Sequence, residues 1–364
     1  MQINATSITL ALLILCMSFL YKSYTAFTTA GKSTINNIKN TIMADYDHFV
    51  FKKSEKPLPM FFFSHGGPTF QERASEHPGA WDMTKKVGRY ITKEVKPDFI
   101  IVVSAHWQTG APDEIEVSIP GPGEAWFTQN KVVSKKLRAD ENALVYDFYG
   151  FPQRFYDSQF HTVANKFIAD DIVKTLKASD WFQAKTTERG IDHGVFVPGK
   201  VAFADPNVID SGKLDVDVPV IQVSLAGTSD IEIHYRLGEA LSRYRDLNGA
   251  IIFSGMSVHN LRDYRFDLGG GKKALPYVEP FNKILTNILT DPNHDAVLEN
   301  LKQLPRKSEW KDLYHKAHPT NEHLLPAVVG AGAARGDECK LLFTDSTDSL
   351  GWNLYSWGNT NGKL

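Results

Sequence analysis

Three separate apolar runs in this chain each end at a histidine. Pro59-Met60-Phe61-Phe62-Phe63-Ser64 runs into His65, and Phe99-Ile100-Ile101-Val102-Val103-Ser104-Ala105 runs into His106. Ala250-Ile251-Ile252-Phe253-Ser254-Gly255 opens a short turn to His259. Short runs rich in aromatic and β-branched residues read as strands covered on both faces. In open α/β sheets the ligand site lies beyond the carboxyl ends of the strands. Three imidazoles from distant parts of the chain are therefore expected at one edge of one sheet. Imidazole is the commonest protein metal ligand, so the pattern points to a metal site.

The rest of the chain supports that architecture. Helical periodicity is expected around Pro78–Val95, Val163–Ala178, Ile231–Arg245, Val278–Leu289 and Glu322–Arg335. Strands are expected at 59–64, 98–105, 115–119, 218–225, 250–255 and 340–344. Strands alternating with helices give an α/β fold: a single domain with a central, mostly parallel or mixed sheet flanked by helices and an active site at strand ends. With 42% hydrophobic residues in 364, the chain can bury a large core. The formal net charge of -2 and scattered Lys and Arg offer no footprint for nucleic acid. Cys16 and Cys339 have no metal-type spacing, and Cys16 falls in a segment read as lying outside the fold. Pro120-Gly121-Pro122-Gly123 and Gly269-Gly270-Gly271 read as loops; the latter lacks the spacing of a phosphate-binding loop.

Residues 1–44 read as an apolar targeting or anchor segment preceding a catalytic domain at 45–364. Residues 8–21 are almost wholly apolar but shorter than the roughly 20 residues of a bilayer span. A membrane tether, an organelle-targeting signal and no membrane role all stay open, and with them a cytoplasmic or membrane-anchored location.

Of the twelve histidines, His48, His77, His234, His294 and His315 lie in polar surroundings and read as surface residues. His161 follows the aromatic stretch Asp140 to Asp157, a candidate pocket wall or lid, and is a weaker candidate for facing a pocket. Five others have distinctive settings. His65 precedes two glycines, which permit a close turn. His106 ends the most apolar run. His193 follows Asp192 in a Gly-Ile-Asp-His-Gly turn. His259 lies just past a strand. His323 sits in His318-Pro319-Thr320-Asn321-Glu322-His323, read as a helix start capped by Thr320 or Asn321. Any one alone reads as a structural histidine; several at converging strand ends do not.

The segments SHGGPTF, VVSAHW, ERGIDHGVFVP, SGMSVHNLRD and HPTNEHLLP, in this order, resemble the class III extradiol ring-cleaving dioxygenases of the LigB-type fold. They most resemble the DOPA 4,5-dioxygenase branch, over roughly residues 57–357. The resemblance implies that His65 and His106 are metal ligands and that His323 is the third, at a position held by glutamate in protocatechuate-cleaving relatives. His259 matches a histidine that serves as acid/base in those relatives and neighbours the metal in the DOPA branch, so it is expected among both the catalytic and the metal-site residues. His193 matches a histidine lining the substrate pocket. His318 has no match. Phe196 stands where the branch usually has Trp, and the segment after Phe151-Pro152-Gln153 diverges from it as well. Both departures are expected to alter the pocket wall and to leave the ligands alone.

These residue types suit the chemistry. Ring opening by O2 needs a metal with few protein ligands and open positions. One divalent metal is implied, Fe(II) for ring cleavage or Zn(II) as bound metal. Glu322 competes with His323 as a ligand, although neighbouring side chains on a helix diverge around its axis. A catechol must lose a proton, and a proton must later be returned; His259 or His193 can do either. Asp192 is a candidate to tune the pair. Trp107, Phe148 and Phe151 are candidates to enclose the ring. The expected partners are a small aromatic diol and O2. A zinc hydrolase and a catalytically silent metal-binding protein on the same scaffold are the competing functions.

Overall fold

The computed structural model describes residues 49–74, 76–120, 140–208, 210–265 and 273–364, and the backbone of 132–133. The apolar stretch at 8–21, His48, Cys16 and the triple glycine lie outside the described residues. Among the described residues, no helix is long and apolar enough to cross a membrane.

Eight strands form one mixed sheet: β1 (Met60–Ser64), β2 (Phe99–Gln108), β3 (Glu114–Ile119), β4 (Gln183–Glu188), β5 (Val220–Leu225), β6 (Gly249–Gly255), β7 (Cys339–Phe343) and β8 (Leu354–Trp357). Their order is β7-β8-β1-β6-β2-β5-β3-β4. The central four, β1, β6, β2 and β5, are mutually parallel. Their carboxyl ends therefore share one edge, as the apolar runs predict. Register fixes the detail: Ser64 pairs with Gly255 and Ser104 with Ser254, so His65 leaves the sheet level with the end of β6. β2 runs on to Gln108, past its expected end, and its pairing with β5 is irregular between Val103 and Gln108, where His106 sits.

Helices α1 (Pro78–Tyr90), α2 (Lys166–Lys177), α3 (His193–Phe203), α4 (Ile231–Leu241), α5 (Val278–Leu289), α6 (His294–Gln303), α7 (Lys311–Ala317) and α8 (Leu325–Ala333) complete the fold. Alternation across β1 sends Phe61 and Phe63 into a core shared with Val195, Val197 and Val201 of α3, while Phe62 meets Tyr355. On the other side α8 packs closely on α4. There a Cβ at Gly238 would lie 2.0 Å from the carbonyl oxygen of Val329, so the helices approach backbone to backbone.

Several local expectations are corrected. His77 is buried, not superficial: its Nδ1 accepts the Ala80 N–H and caps α1. His234 is fully buried on α4, where Nδ1 donates to the carbonyl of Asp230. His294 and His315 are exposed as expected. The helix expected from Glu322 starts at Leu325, with Pro326 in its first turn and no side-chain cap. The carbonyl of Asn321, rather than a hydroxyl or amide side chain, receives the N–H groups of Leu324 and Leu325.

Candidate metal and catalytic site

Each of three histidines is fixed by a separate partner at Nδ1. His65 Nδ1 lies 2.9 Å from the hydroxyl of Ser254, which itself donates to the carbonyl of Gly194. Because that hydroxyl proton is committed, His65 must be the donor. His106 Nδ1 lies 3.3 Å from Asp147 Oδ2, and His323 Nδ1 lies 3.1 Å from Glu322 Oε1. Carboxylates accept, so these imidazoles also carry their proton on Nδ1. All three then present a bare Nε2. Those atoms converge, with His106 Nε2 3.1 Å from that of His65 and 3.3 Å from that of His323.

Three lone pairs facing one another are unfavourable unless something positive lies between them. Protonation does not supply it at neutral pH. Burial, and then the neighbouring imidazoles, hold His65 and His323 well below the usual histidine range. A metal does. Metal–imidazole distances of about 2.0–2.1 Å place two ligand nitrogens about 2.9 Å apart at a right angle and about 3.4 Å apart at a tetrahedral angle. The two separations from His106 Nε2, 3.1 Å to His65 and 3.3 Å to His323, fall between these. The arrangement also has the outer partners that metal-binding imidazoles need to fix their orientation.

Two further histidines flank the set. His193 opens α3, its ring centre 3.9 Å from that of His106. Both its backbone N–H and its Nδ1 meet Asp147 Oδ1, at 3.0 and 2.8 Å. One carboxylate thus orients His106 and His193 together. Burial opposes charge on both partners. Their mutual attraction outweighs it, holding Asp147 well below the usual carboxyl range and raising His193. His259 stacks face to face on His323 at 3.5 Å and 15°. Burial, then the nearby imidazole of His106, pushes it down to about 3, so it is neutral. Ligand atoms of His65, His106 and His193 lie within 4.8 Å of one another, as do those of His259, Glu322 and His323. The contact between His106 and His323 joins the two groups.

Gly194 explains how α3 comes so close. A Cβ there would lie 2.4 Å from Ser104 Oγ and 2.8 Å from His106 Cδ2. Gly66, at φ +63°, turns the chain immediately after His65, where a Cβ would strike Glu76 and Trp352. Glu76 accepts the Gly67 N–H at 3.0 Å and the Thr69 hydroxyl, which fixes that turn.

The site brings together all five expected histidines and redistributes several supporting roles. The carboxylate of Asp192 is bonded to Ser104, Arg189 and Gln222 and acts on His193 only through its charge, which helps to raise it. Asp147, which the sequence reading did not single out, is the direct partner of that ring. Glu322 is an orienting partner of His323. His318 turns away, its Nε2 donating to the carbonyl of Ser257 at 3.0 Å. Phe148 stands edge-on to His193 at 5.7 Å and 5.4 Å from Phe151, forming one wall. Trp107 is covered by the guanidinium of Arg189 at 4.5 Å. Phe196 is fully buried against Tyr146, one layer behind that wall. His161 is buried between Glu141 and Asp210.

A mixed α/β sheet carries at its carboxyl edge an imidazole set that could hold a metal ion, and comparison with known proteins assigns the family. The profile described as the catalytic LigB subunit of aromatic ring-opening dioxygenase matches residues 59–358, and the chain belongs to this family. A 4,5-DOPA dioxygenase extradiol-like protein of Schizosaccharomyces pombe is 29% identical, covering 79% of this chain and 89% of its own length. The 4,5-DOPA dioxygenase extradiol of Beta vulgaris is 28% identical, covering 82% and 96%. That of Escherichia coli is 26% identical, covering 78% and 88%. The crystal structure of an uncharacterized protein of Escherichia coli K12 shares the fold, with a TM-score of 0.56 at 22% identity over 83% of this chain and all of that one.

Proposed function

We propose that this protein is a non-haem metal-dependent dioxygenase that opens a catechol-type ring beside, rather than between, its two hydroxyls, with a DOPA-like diol as a candidate substrate. The observation that carries this reading is the pairing of three bare, converging Nε2 atoms with two further imidazoles, in a chain of the LigB family. His65, His106 and His323 are the proposed ligands. A divalent metal held there supplies the charge that favours a catecholate and, as Fe(II), the redox partner that lets it react with O2. Both oxygen atoms enter the product as the ring C–C bond breaks, so no outside reductant is required.

The chain's own residues handle the protons. With Nδ1 tied to Asp147, His193 uses Nε2, which makes no hydrogen bond to the described residues, to take a catechol proton and later return it. Asp147 stabilises the imidazolium while that proton is held. His259, neutral and stacked on His323, offers a second acceptor across the site. Phe148 and Phe151 shield the ring from water on the His193 side.

The test is anaerobic loading with Fe(II), followed by O2 uptake with a panel of catechols. Uptake with a yellow ring-opened product supports the reading. Ester or amide turnover with Zn(II) and no O2 use would replace it with a hydrolase. Tight metal binding without either activity would leave a silent metal-binding protein.

A further inference from the structure

Between α3 and the central strands lies a cavity of about 20 Å³. Phe63, Val102, Val195, Val220 and Ile252 are among the residues lining it, and Ser254 contributes the one polar side chain. Space for a water begins at about 10–15 Å³, but a buried water also needs two to four polar partners. Ser254 cannot provide them, because its hydroxyl donates to Gly194 and accepts from His65. The cavity therefore suits a small apolar guest.

Its position matters as much as its lining. Ser254 forms part of the cavity wall and also holds His65 Nδ1. Val195 lies one residue past Gly194, which abuts His106, and two past His193. The cavity thus reaches the imidazole set at its Ser254 and Val195 end and extends from there beneath α3 towards Ile100, Val220 and Phe203. Resting on the dioxygenase reading for the identity of the gas, we propose that it is a binding site for dioxygen beside the metal centre. O2 is small and apolar, and water cannot compete for the space.

The direct test uses O2 itself as a paramagnetic probe on the zinc-loaded protein, which is diamagnetic. Methyl relaxation is compared under O2 and N2 pressure. The methyls of Val102, Val195, Val220 and Ile252 should gain relaxation several-fold more than those of Val216 and Ile288, which are buried to the same degree and are not among its lining residues. Filling the cavity with Val220→Ile, or with Val102→Ile should the first variant misfold, should abolish the difference. In the Fe(II)-loaded protein the same substitution should raise KM for O2 several-fold and leave the affinity for a catechol analogue unchanged. Equal relaxation at lining and comparison methyls would overturn the site. So would an unchanged KM for O2 in a folded, filled variant that turns over. If no catechol is cleaved, the ring-opening reading falls, while the relaxation experiment still decides the gas site.

Discussion

Two buried histidine clusters in this molecule use the same residue types to opposite ends. In one, His161 has both ring nitrogens occupied, Nδ1 by Glu141 and Nε2 by Asp210 at 3.0 Å. In the other, His65, His106 and His323 each have Nδ1 occupied, and the Nε2 atoms of His65 and His323 both approach that of His106. Electrostatics follows the same division. Burial works against charge at His161, but the two carboxylates outweigh it and raise its pKa, whereas burial and neighbouring imidazoles depress those of His65 and His323. A histidine saturated at both nitrogens is a cross-link. A histidine saturated at one, beside others in the same state, keeps a nitrogen that could hold a cation. Burial alone separates nothing, since His65, His161 and His323 are all nearly inaccessible.

The comparison breaks most sharply at the metal. Alanine at His65, His106 or His323 should each reduce metal content at micromolar protein to near zero, since two imidazoles cannot rebuild the three-ligand set. His161→Ala should leave metal content intact. Mass-spectrometric metal analysis of the four purified variants checks this. Full occupancy in the His323 variant would transfer the ligand role to Glu322 or His259.

The flanking imidazoles sharpen the contrast at a lower level. His193→Gln should retain metal and lose turnover by roughly 10²–10⁴, the usual span for a positioned proton-transfer group. His259→Gln should retain metal too, and lose less, because the nearby carboxylate of Glu322 is bonded to His323 rather than to that ring. Metal content and rate measured on one preparation separate these outcomes; loss of metal from the His259 variant would make it a ligand. Asp147→Asn comes next. Removing an orienting partner of an imidazole ligand typically costs 10–100-fold in metal affinity or activity. Because Asp147 serves both His106 and His193, its variant should lower metal affinity and rate together, whereas His193→Gln should lower rate alone.

The parts of this design that were legible in the sequence are those written locally. Phe61 to Phe63 and Ile100 to Val103 announce central strands because a strand covered on both faces must be continuously apolar, and the histidines that follow inherit their place from parallel strand direction. β4 was illegible because Gln-Ala-Lys-Thr-Thr-Glu is a polar edge strand. α3 was illegible because Val195, Phe196, Val197, Val201 and Ala202 bury it on all sides, leaving no amphipathic period around Pro198. The outer partners were hidden for another reason. Asp147 and Ser254 act across 46 and 189 residues of chain, and only the fold brings them to their histidines. Their traces were faint: an aspartate at the end of a Leu-Val-Tyr run, and a serine at the end of a strand. His77 and His234 failed in the other direction, because polar neighbours in sequence said nothing of distant packing such as that of Phe343 and Trp352 against His77.

The smallest expected effect tests the saturated cluster by pH. His161 is set between Glu141 and Asp210, with Asp215 accepting its backbone N–H at 2.7 Å and Lys200 as the nearby cation acting on both Asp210 and Asp215. Its folded-state pKa is raised above the model-peptide value of 6.5, despite burial, by the two carboxylates that face the ring. A raised pKa means that the folded protein holds this proton more tightly than the unfolded chain does. The resulting stabilisation is fully present below 6.5 and is lost as pH rises through the folded-state value. Asp210, by contrast, is lowered, so its contribution changes on the acid side of that window. His161→Gln keeps polar groups near both carboxylates but cannot titrate. Thermal unfolding of the wild type should therefore lose stability from pH 6.5 upward, while the variant stays flatter and starts lower. The gap between them should narrow as pH rises. Parallel curves for the two proteins would mean that the His161 cross-link does not depend on its charge, and the electrostatic half of the contrast between the clusters would fail.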